Sequence, residues 1–529
     1  MPALNKILQT APDALTLLRL LCFCDPENIP LSILVQGCCD LYQECRCDVP
    51  VASAVNDLEA IIGLFRSPLR IAKAIREIQR LSLAVYTLEG SERIIRIHDL
   101  VQLLLRSELI AASEREQWLE MVICIVCKAF DKIDDYRSPR NWGRCDQFIS
   151  HIEFMEGCAA QYGLRNATLL EASAGAATYV NACGLYEKAA NMRRRTLDQR
   201  KALLGEEHPD TLSSMGNLAS TYWNQGRWKE AEELDIRVIE TEKTVLGEKH
   251  SDTLVSMANL ASTYFKQGRW KKAEKLGMEV IKTQKRMLGE KHPDTLNSMA
   301  NLASVYFSQG RSKDAEALKM KVMEERKRML GEEHGETLRS MADLAAIYQG
   351  QERWKEAEKL EMKVIKIRKR VLGEEHPQTL IIMGNLASTY KNQERWEEAE
   401  RLDIRVLETR QRLWGEKHPD TLIGMSSLAS TYYGQGRWKN AEELNMRILE
   451  TSQRVLGKEH PHALVSMNNL AFTWKAQGRN AEAVNLMEQC VHLRSQILGA
   501  DHPSTVSSSA TLTDWQRGYL EIRLALRTS

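Results

Sequence analysis

Beyond Cys183, this chain of 529 residues contains a single cysteine, Cys490, so disulfides do not hold that long stretch together. A charge surplus is missing too: 72 lysines and arginines face 71 aspartates and glutamates. That balance removes any global pull toward nucleic acid or an anionic membrane and leaves basic surface only local. No apolar run approaches the roughly 20 residues that span a bilayer. The longest, "LTLLRLLCF" and "MVICIVCKAF", are interrupted by Arg19 and Lys128, so no segment is expected to cross a membrane. The start, "MPALNKILQTAPDALTLLRLLCF", shows no cationic region followed by an unbroken apolar stretch and a small-residue cleavage site, and a cytoplasmic location is expected. A nucleophile elbow, a His-Glu-x-x-His helix and a dinucleotide glycine loop are all lacking, so no catalytic residue and no cofactor is expected.

What is present is a period. The glycine after each "LG" or "WG" stands at 205, 247, 289, 331, 373, 415, 457 and 499, always 42 residues on and always followed three positions later by a histidine. An invariant period means that each copy stacks on the next in one geometry. Within a copy, Leu212, Met215, Leu218, Ala219 and Tyr222 recur at helical spacing. A second stripe follows at Trp228, Ala231, Leu234, Val238 and Ile239. Two amphipathic helices per copy are predicted, with Gly226 in the turn between them, Gly205 closing the preceding helix and Pro209 in the first turn of the next. The recurrent histidines cannot converge on one metal ion from successive stacked units, so they are assigned to the helix starts and no metal site is expected.

The stretch "NLASTYWNQGRWKEAE" resembles the small, aromatic and alanine signature of tetratricopeptide repeats (TPRs), and the 42-residue spacing with "LGEEHPDTL" is similar to the longer variety in kinesin light chains and fungal NB-ARC proteins. Seven copies agree. Departures include Gly335 for the recurrent proline, Asp343 for asparagine and Ser312 for tryptophan. The resemblance implies an all-α chain, a right-handed TPR α-solenoid that holds a peptide or partner protein in its concave groove.

Residues 1–108 follow another grammar: helical patterns, a basic helix "SPLRIAKAIREIQRL", then the alternating runs "LAVYTL" and "RIIRI" joined by "EGSE". Helices followed by a hairpin predict a small winged-helix domain before the solenoid. "IHDLVQLLLRSEL" resembles the end of that module in NB-ARC (STAND) signalling ATPases, whose Met-His-Asp motif is matched by Ile97, His98 and Asp99. In the family that histidine contacts nucleotide phosphate. This sequence contains no phosphate loop, so no nucleotide is expected to bind and His98 is assigned to packing or capping. The expected organisation is 1–108 winged-helix-like, 109–165 helical junction, 166–204 degenerate repeat, 205–498 seven repeats and 499–529 a partial repeat. The chain starts where the ATPase core of such a receptor would end, as in a truncated relative or an incomplete gene record.

Three further candidates are weighed. Arg66, Arg70, Lys73, Arg76 and Arg80 form a stripe that could enter a DNA groove, but no second basic element supports it and nucleic acid is disfavoured. Cys38, Cys39, Cys45 and Cys47 are irregularly spaced, and Cys124 with Cys127 has no partner pair, so both read as reduced thiols and not as zinc ligands. The residue after the packing tyrosine is Trp223, Phe265, Phe307, Gln349, Lys391, Tyr433 and Lys475 in successive copies, with Ser220, Ser262 and Ser304 one turn earlier. Trp223, Phe265, Phe307 and Tyr433, with those serines, are the candidate groove residues for an apolar or aromatic anchor. The neighbouring groove positions carry almost no lysine or arginine, which argues against a carboxylate clamp. The expected function is a protein-interaction scaffold, a sensor or regulatory remnant of an NB-ARC receptor. A kinesin-light-chain-like cargo adaptor and a winged-helix DNA-binding regulator are the alternatives.

Overall fold

A computed structural model describes residues 11–45, 55–89, 92–108, 110–111 and 113–528. Gly90 and Ser91 of the "EGSE" turn, and Cys47 of the cysteine cluster, lie outside the described residues. The chain divides into two compact units, Met1–Ala182 with Lys188–Thr211, and Cys183–Glu187 with Leu212–Ser529.

In the first unit, α1 (Pro12–Leu21), α2 (Leu31–Cys45), α3 (Val55–Phe65) and α4 (Pro68–Arg80) accompany a three-stranded antiparallel sheet of β1 (Ile29–Pro30), β2 (Val85–Glu89) and β3 (Glu92–Arg96) in the order β1-β3-β2. The basic helix α4 starts where Ser67 accepts the Arg70 amide and Pro68 takes the first position. It buries Ile71, Ala74, Ile75 and Ile78 and turns its cations outward. There the stripe is partly spent: Arg70 pairs with Asp13 at 2.5 Å, and Arg66 lies over the Tyr42 ring. Next come α5 (Asp99–Glu108), α6 (Arg115–Asp131) and α7 (Trp142–Tyr162).

The second unit is built from helix pairs in strict succession, beginning with Pro209–Asn224 and Trp228–Val245 and ending with Pro461–Ala476 and Asn480–Ile497, then the single helix Pro503–Thr528. Local chemistry repeats with the period. His250, His292, His334, His376, His418 and His460 each accept, on Nδ1, the amide two residues on, at 3.1–3.3 Å, and so cap the first helix of their pair. From His250 to His418 the threonine that follows closes the loop, as Thr295 does by donating to the Gly289 carbonyl at 2.9 Å. Between copies, Arg269, Arg311, Arg353, Arg395, Arg437 and Arg479 each reach a glutamate of the preceding second helix and cover the tyrosine or tryptophan that ends their own first helix. These pairs are half-exposed and each contributes at most about 1 kcal/mol. The apolar stripes supply the rest: Ile239, Leu254, Met257, Leu260 and Val280 form one shared cluster drawn from three successive helices. Consecutive first helices also touch one another, which puts them on the inner, concave side.

The second unit also coils back on itself. A Cβ on Gly184 or Gly226 would lie 2.3 Å from Cδ of Pro419 or Pro461, and one on Gly268 would lie 2.5 Å from Cδ of Pro503. Trp228 stacks on His502 with ring centroids 6.1 Å apart. The inter-helix turns at one end thus rest on the first-helix starts of repeats near the other end.

Candidate functional site

Several second helices send a polar side chain beneath the groove toward the following first helix. Asp235 accepts from the Thr263 hydroxyl at 3.1 Å, Glu361 from Thr389 at 2.7 Å and Asp403 from Thr431 at 2.6 Å, while Asn445 donates to Thr473 at 3.3 Å. Burial pushes the Asp235 carboxyl up to about 6 and that of Glu361 up to about 7, with the threonine hydrogen bonds opposing it. Lys319 occupies the same position in its copy and donates instead to Asp343 at 2.6 Å.

Between the rungs of Asp235 and Lys319 the polar ladder is interrupted, because its two positions hold Gly277 and Val305. The gap opens an apolar pocket of about 230 Å³ lined by Trp223, Ser262, Phe265, Gly277, Ser304 and Val305. A Cβ on Gly277 would meet only Leu302 Cδ1, at 3.7 Å, so the floor has room. Ser262 and Ser304 turn their hydroxyls back to the carbonyls of Ala258 and Ala300, so both are satisfied within their own helices. Lys266 holds its ammonium 5.0 Å from the centroid of the Trp223 ring.

Four of the candidate groove residues therefore meet in one place: Trp223, Ser262, Phe265 and Ser304. The others do not join them. Ser220 is exposed outside the pocket. Phe307 lays its ring on the next first helix, where a Cβ on Gly350 would fall 2.0 Å from its Cζ. Tyr433 is 40 % exposed and lines a separate cavity with Phe472. At the intervening positions Gln349 donates to Glu361, Thr389 and the Asn385 carbonyl, and Lys391 to Ser427, so both are tied to the next first helix. Gly277 and Val305 escaped the sequence reading, although comparing the ladder positions copy by copy would have singled them out.

In the first unit, Ile97 is buried with its amide on the Pro26 carbonyl, while His98 is exposed and accepts the Leu100 amide at 3.2 Å at the start of α5, whose first residue is Asp99. The three form a helix start and do not converge on a cavity.

The tetratricopeptide-repeat profile matches residues 169–241, 214–286, 252–328, 336–408, 378–450 and 420–494. The chain belongs to the tetratricopeptide-repeat family. Similar solved structures include a Podosopora anserina putative kinesin light chain with nearly identical TPR-like repeats, 30% identical, covering 39% of this chain and 97% of that one, with a TM-score of 0.33. BtubC (BKLC) from P. vanneervenii is 20% identical, covering 44% of this chain and 91% of that one, TM-score 0.34. A STAND protein with a tetratricopeptide repeat sensor from Pyrococcus horikoshii is 14% identical, covering 93% of this chain and 64% of that one, TM-score 0.44. No curated protein matches the chain. The pocket at Trp223 thus lies between successive TPR units on the groove side.

Proposed function

We propose that this TPR protein is a protein-interaction scaffold whose groove seats one large apolar side chain of a partner segment between Trp223 and Phe265. The observation that carries the reading is the missing rung at Gly277 and Val305, which exchanges a buried acid–threonine pair for an apolar cavity of about 230 Å³. Apolar cavities of roughly 150 Å³ already accommodate a benzene ring. Small rigid pockets walled by tryptophan and phenylalanine are where binding energy concentrates.

The test is selection from a displayed random peptide library on wild-type protein, on Trp223→Ala with Phe265→Ala, and on Gly277→Leu, which fills the floor without touching either ring. Peptides with a recurrent aromatic or leucine anchor are expected from wild type, with affinity at least about fivefold lower for either variant. Circular dichroism confirms that both variants remain helical. Selected peptides that bind Gly277→Leu as tightly as wild type would place the binding surface elsewhere.

For the first unit, the order of helices and antiparallel strands supports the winged-helix remnant, and the leucines Leu100, Leu103 and Leu104 exposed on α5 are more than half accessible. The engagement of Arg70 by Asp13 and of Arg66 by Tyr42 speaks against the DNA alternative.

A further inference from the structure

Three neighbouring second helices are basic where the others are not. Trp270–Met287 carries six lysines and arginines against two acids, Ser312–Leu330 six against four and Trp354–Val371 seven against three. Before them Trp228–Val245 has three against six, and after them Trp396–Trp414 has four against five. A chain whose charges nearly cancel thus carries a positive band on the second helices, away from the groove. The band also has an apolar row. Met278, Met320 and Met362 recur at one position of these helices and are 51 %, 37 % and 52 % exposed. Methionine at a surface offers flexible, adaptable apolar contact.

Between Trp270–Met287 and Ser312–Leu330 the band opens into a cleft of about 620 Å³. Met299, Leu302 and Tyr306 of the first helix between them lie beneath it, with Met278 on one wall and Ala317 on the other. The opening follows from Ala317. In other copies the same position holds Glu233, Lys275, Lys359, Arg401, Glu443 and Asn485, a longer polar side chain every time. In the copies that follow, Met320 and Met362 are paired with Lys359 and Arg401 where Met278 has only an alanine. Lys282, Lys285 and Lys321 line the same cleft and are all exposed. Lys285 and Lys321 share the one carboxylate of Glu290, at 2.8 Å each, and Arg311 engages the cleft's own acid, Asp314, at 2.9 Å. Lys282 makes no ion pair among the described residues.

We propose that this outer cleft is a docking site for an acidic amphipathic helix of a partner protein, its apolar side toward Met278 and Leu302 and its carboxylates toward Lys282 and Lys321. A helix fits because two helices with a third beneath them form a groove that the ridge of another helix fills, the rule by which the array itself packs. Acids are selected because ammonium groups outnumber carboxylates around the cleft, and Glu290 shows one carboxylate held between two lysines. A lipid surface fits poorly. Met299 and Leu302 are recessed, at 2 % and 6 % exposure, and a flat bilayer would meet the lysines without reaching them. The site stands on second helices and does not depend on what the groove holds.

The probe is a fluorescent, stapled helical peptide with leucines on one face and glutamates on the other, followed by anisotropy. Its twins are the same helix with glutamine for glutamate and a scramble of the same composition without an apolar face. Wild type is expected to bind the probe at least about tenfold more tightly than either twin. Ala317→Arg supplies the side chain that Arg401 gives its own repeat. It adds positive charge but fills the cleft, so the probe should bind at least about fivefold more weakly. Ala317→Lys, matching Lys275 and Lys359, serves should the arginine variant lose helicity in circular dichroism. Lys282→Glu should weaken the probe about fivefold and flatten its salt dependence, while Lys439→Glu, exposed on a second helix outside the band, leaves it unchanged. Trp223→Ala with Phe265→Ala should bind the probe as wild type does, which separates this site from the apolar pocket. Several results overturn the proposal: no binding to wild type, equal binding of the scramble, undiminished binding by a folded Ala317 variant, or loss of binding in the Trp223 and Phe265 variant. Lys282-dependent binding of phosphatidylserine vesicles without binding of the helix overturns it in favour of a lipid surface.

Discussion

His460 donates its Nε2–H to the carbonyl oxygen of Asn224, 236 residues earlier, at 3.1 Å. The tautomer follows from the other ring nitrogen, because Nδ1 accepts the His462 amide at 3.1 Å and cannot also carry a proton. One neutral ring therefore caps a helix and fastens the array to its own earlier repeats. Nearby, Tyr186 stacks on the same ring with centroids 6.4 Å apart.

The clasp explains where glycine is indispensable in the inter-helix turns. Glu352 and Glu394 occupy equivalent turns at φ of 61° and 60°, so the left-handed backbone alone does not demand glycine. Gly226 meets Pro461, whereas Gly436 has open space. Gly436→Glu should cost about 1 kcal/mol, the ordinary left-handed penalty. Gly226→Glu should cost clearly more in urea unfolding and should expand the particle in small-angle scattering. Equal costs would mean that the turns do not bear on the prolines.

Acid should loosen the same contact. Burial holds the folded His460 pKa down at about 4, against an ordinary value of 6.5, so the unfolded chain takes up more protons between those values. Its contribution to stability is full above pH 6.5 and is lost as pH falls toward 4, at roughly 1.4 kcal/mol per unit. His460→Gln cannot be charged, so its midpoint should fall less steeply than that of wild type between pH 6.5 and 5. Parallel pH profiles would show that the ring is not held neutral.

Glu361 should act with the opposite sign. Its folded pKa is raised to about 7 from 4.5, so the folded chain binds more protons in that window. The stability it contributes is complete below pH 4.5 and is lost as pH rises through 7. Replacing it by Gln should therefore flatten the decline of the thermal midpoint between pH 5 and 8. A variant whose decline matches wild type would contradict a strained buried carboxylate.

Removing one whole unit, Gly289–Leu330, should leave a soluble helical array, since each neighbour finds an identical face. The clasp should then shift by one copy, so that Gly184 meets Pro461 and Gly226 meets Pro503, with two contacts in place of three. Deleting about ten residues within that unit puts the stripes out of phase and should lower the unfolding midpoint far more. The comparison is made by circular dichroism during urea titration.

Much of this protein is visible in one sequence because a repeat states its own rules. The 42-residue interval, the stripes at Leu212 and Ala231 and the histidine before each first helix are local, and helical period and capping chemistry act over a few residues. The aromatic row was legible for the same reason, since Trp223 and Phe265 hold equivalent positions. The row could not disclose that Phe307 would lie down on Gly350 while its neighbours wall a pocket, because that depends on the side chain offered by the next copy.

By itself the sequence determined the family, the helix pairs, their caps and the constant interval, all of which follow from interactions within one copy or between adjacent ones. Tertiary structure alone decided that Phe307 would lie on Gly350 and that Gly226 would come to rest beneath Pro461. These depend on the small rotation between copies, which accumulates over several repeats until residues 236 apart touch. A rotation of that kind is set by packing across every interface at once and is written at no single position.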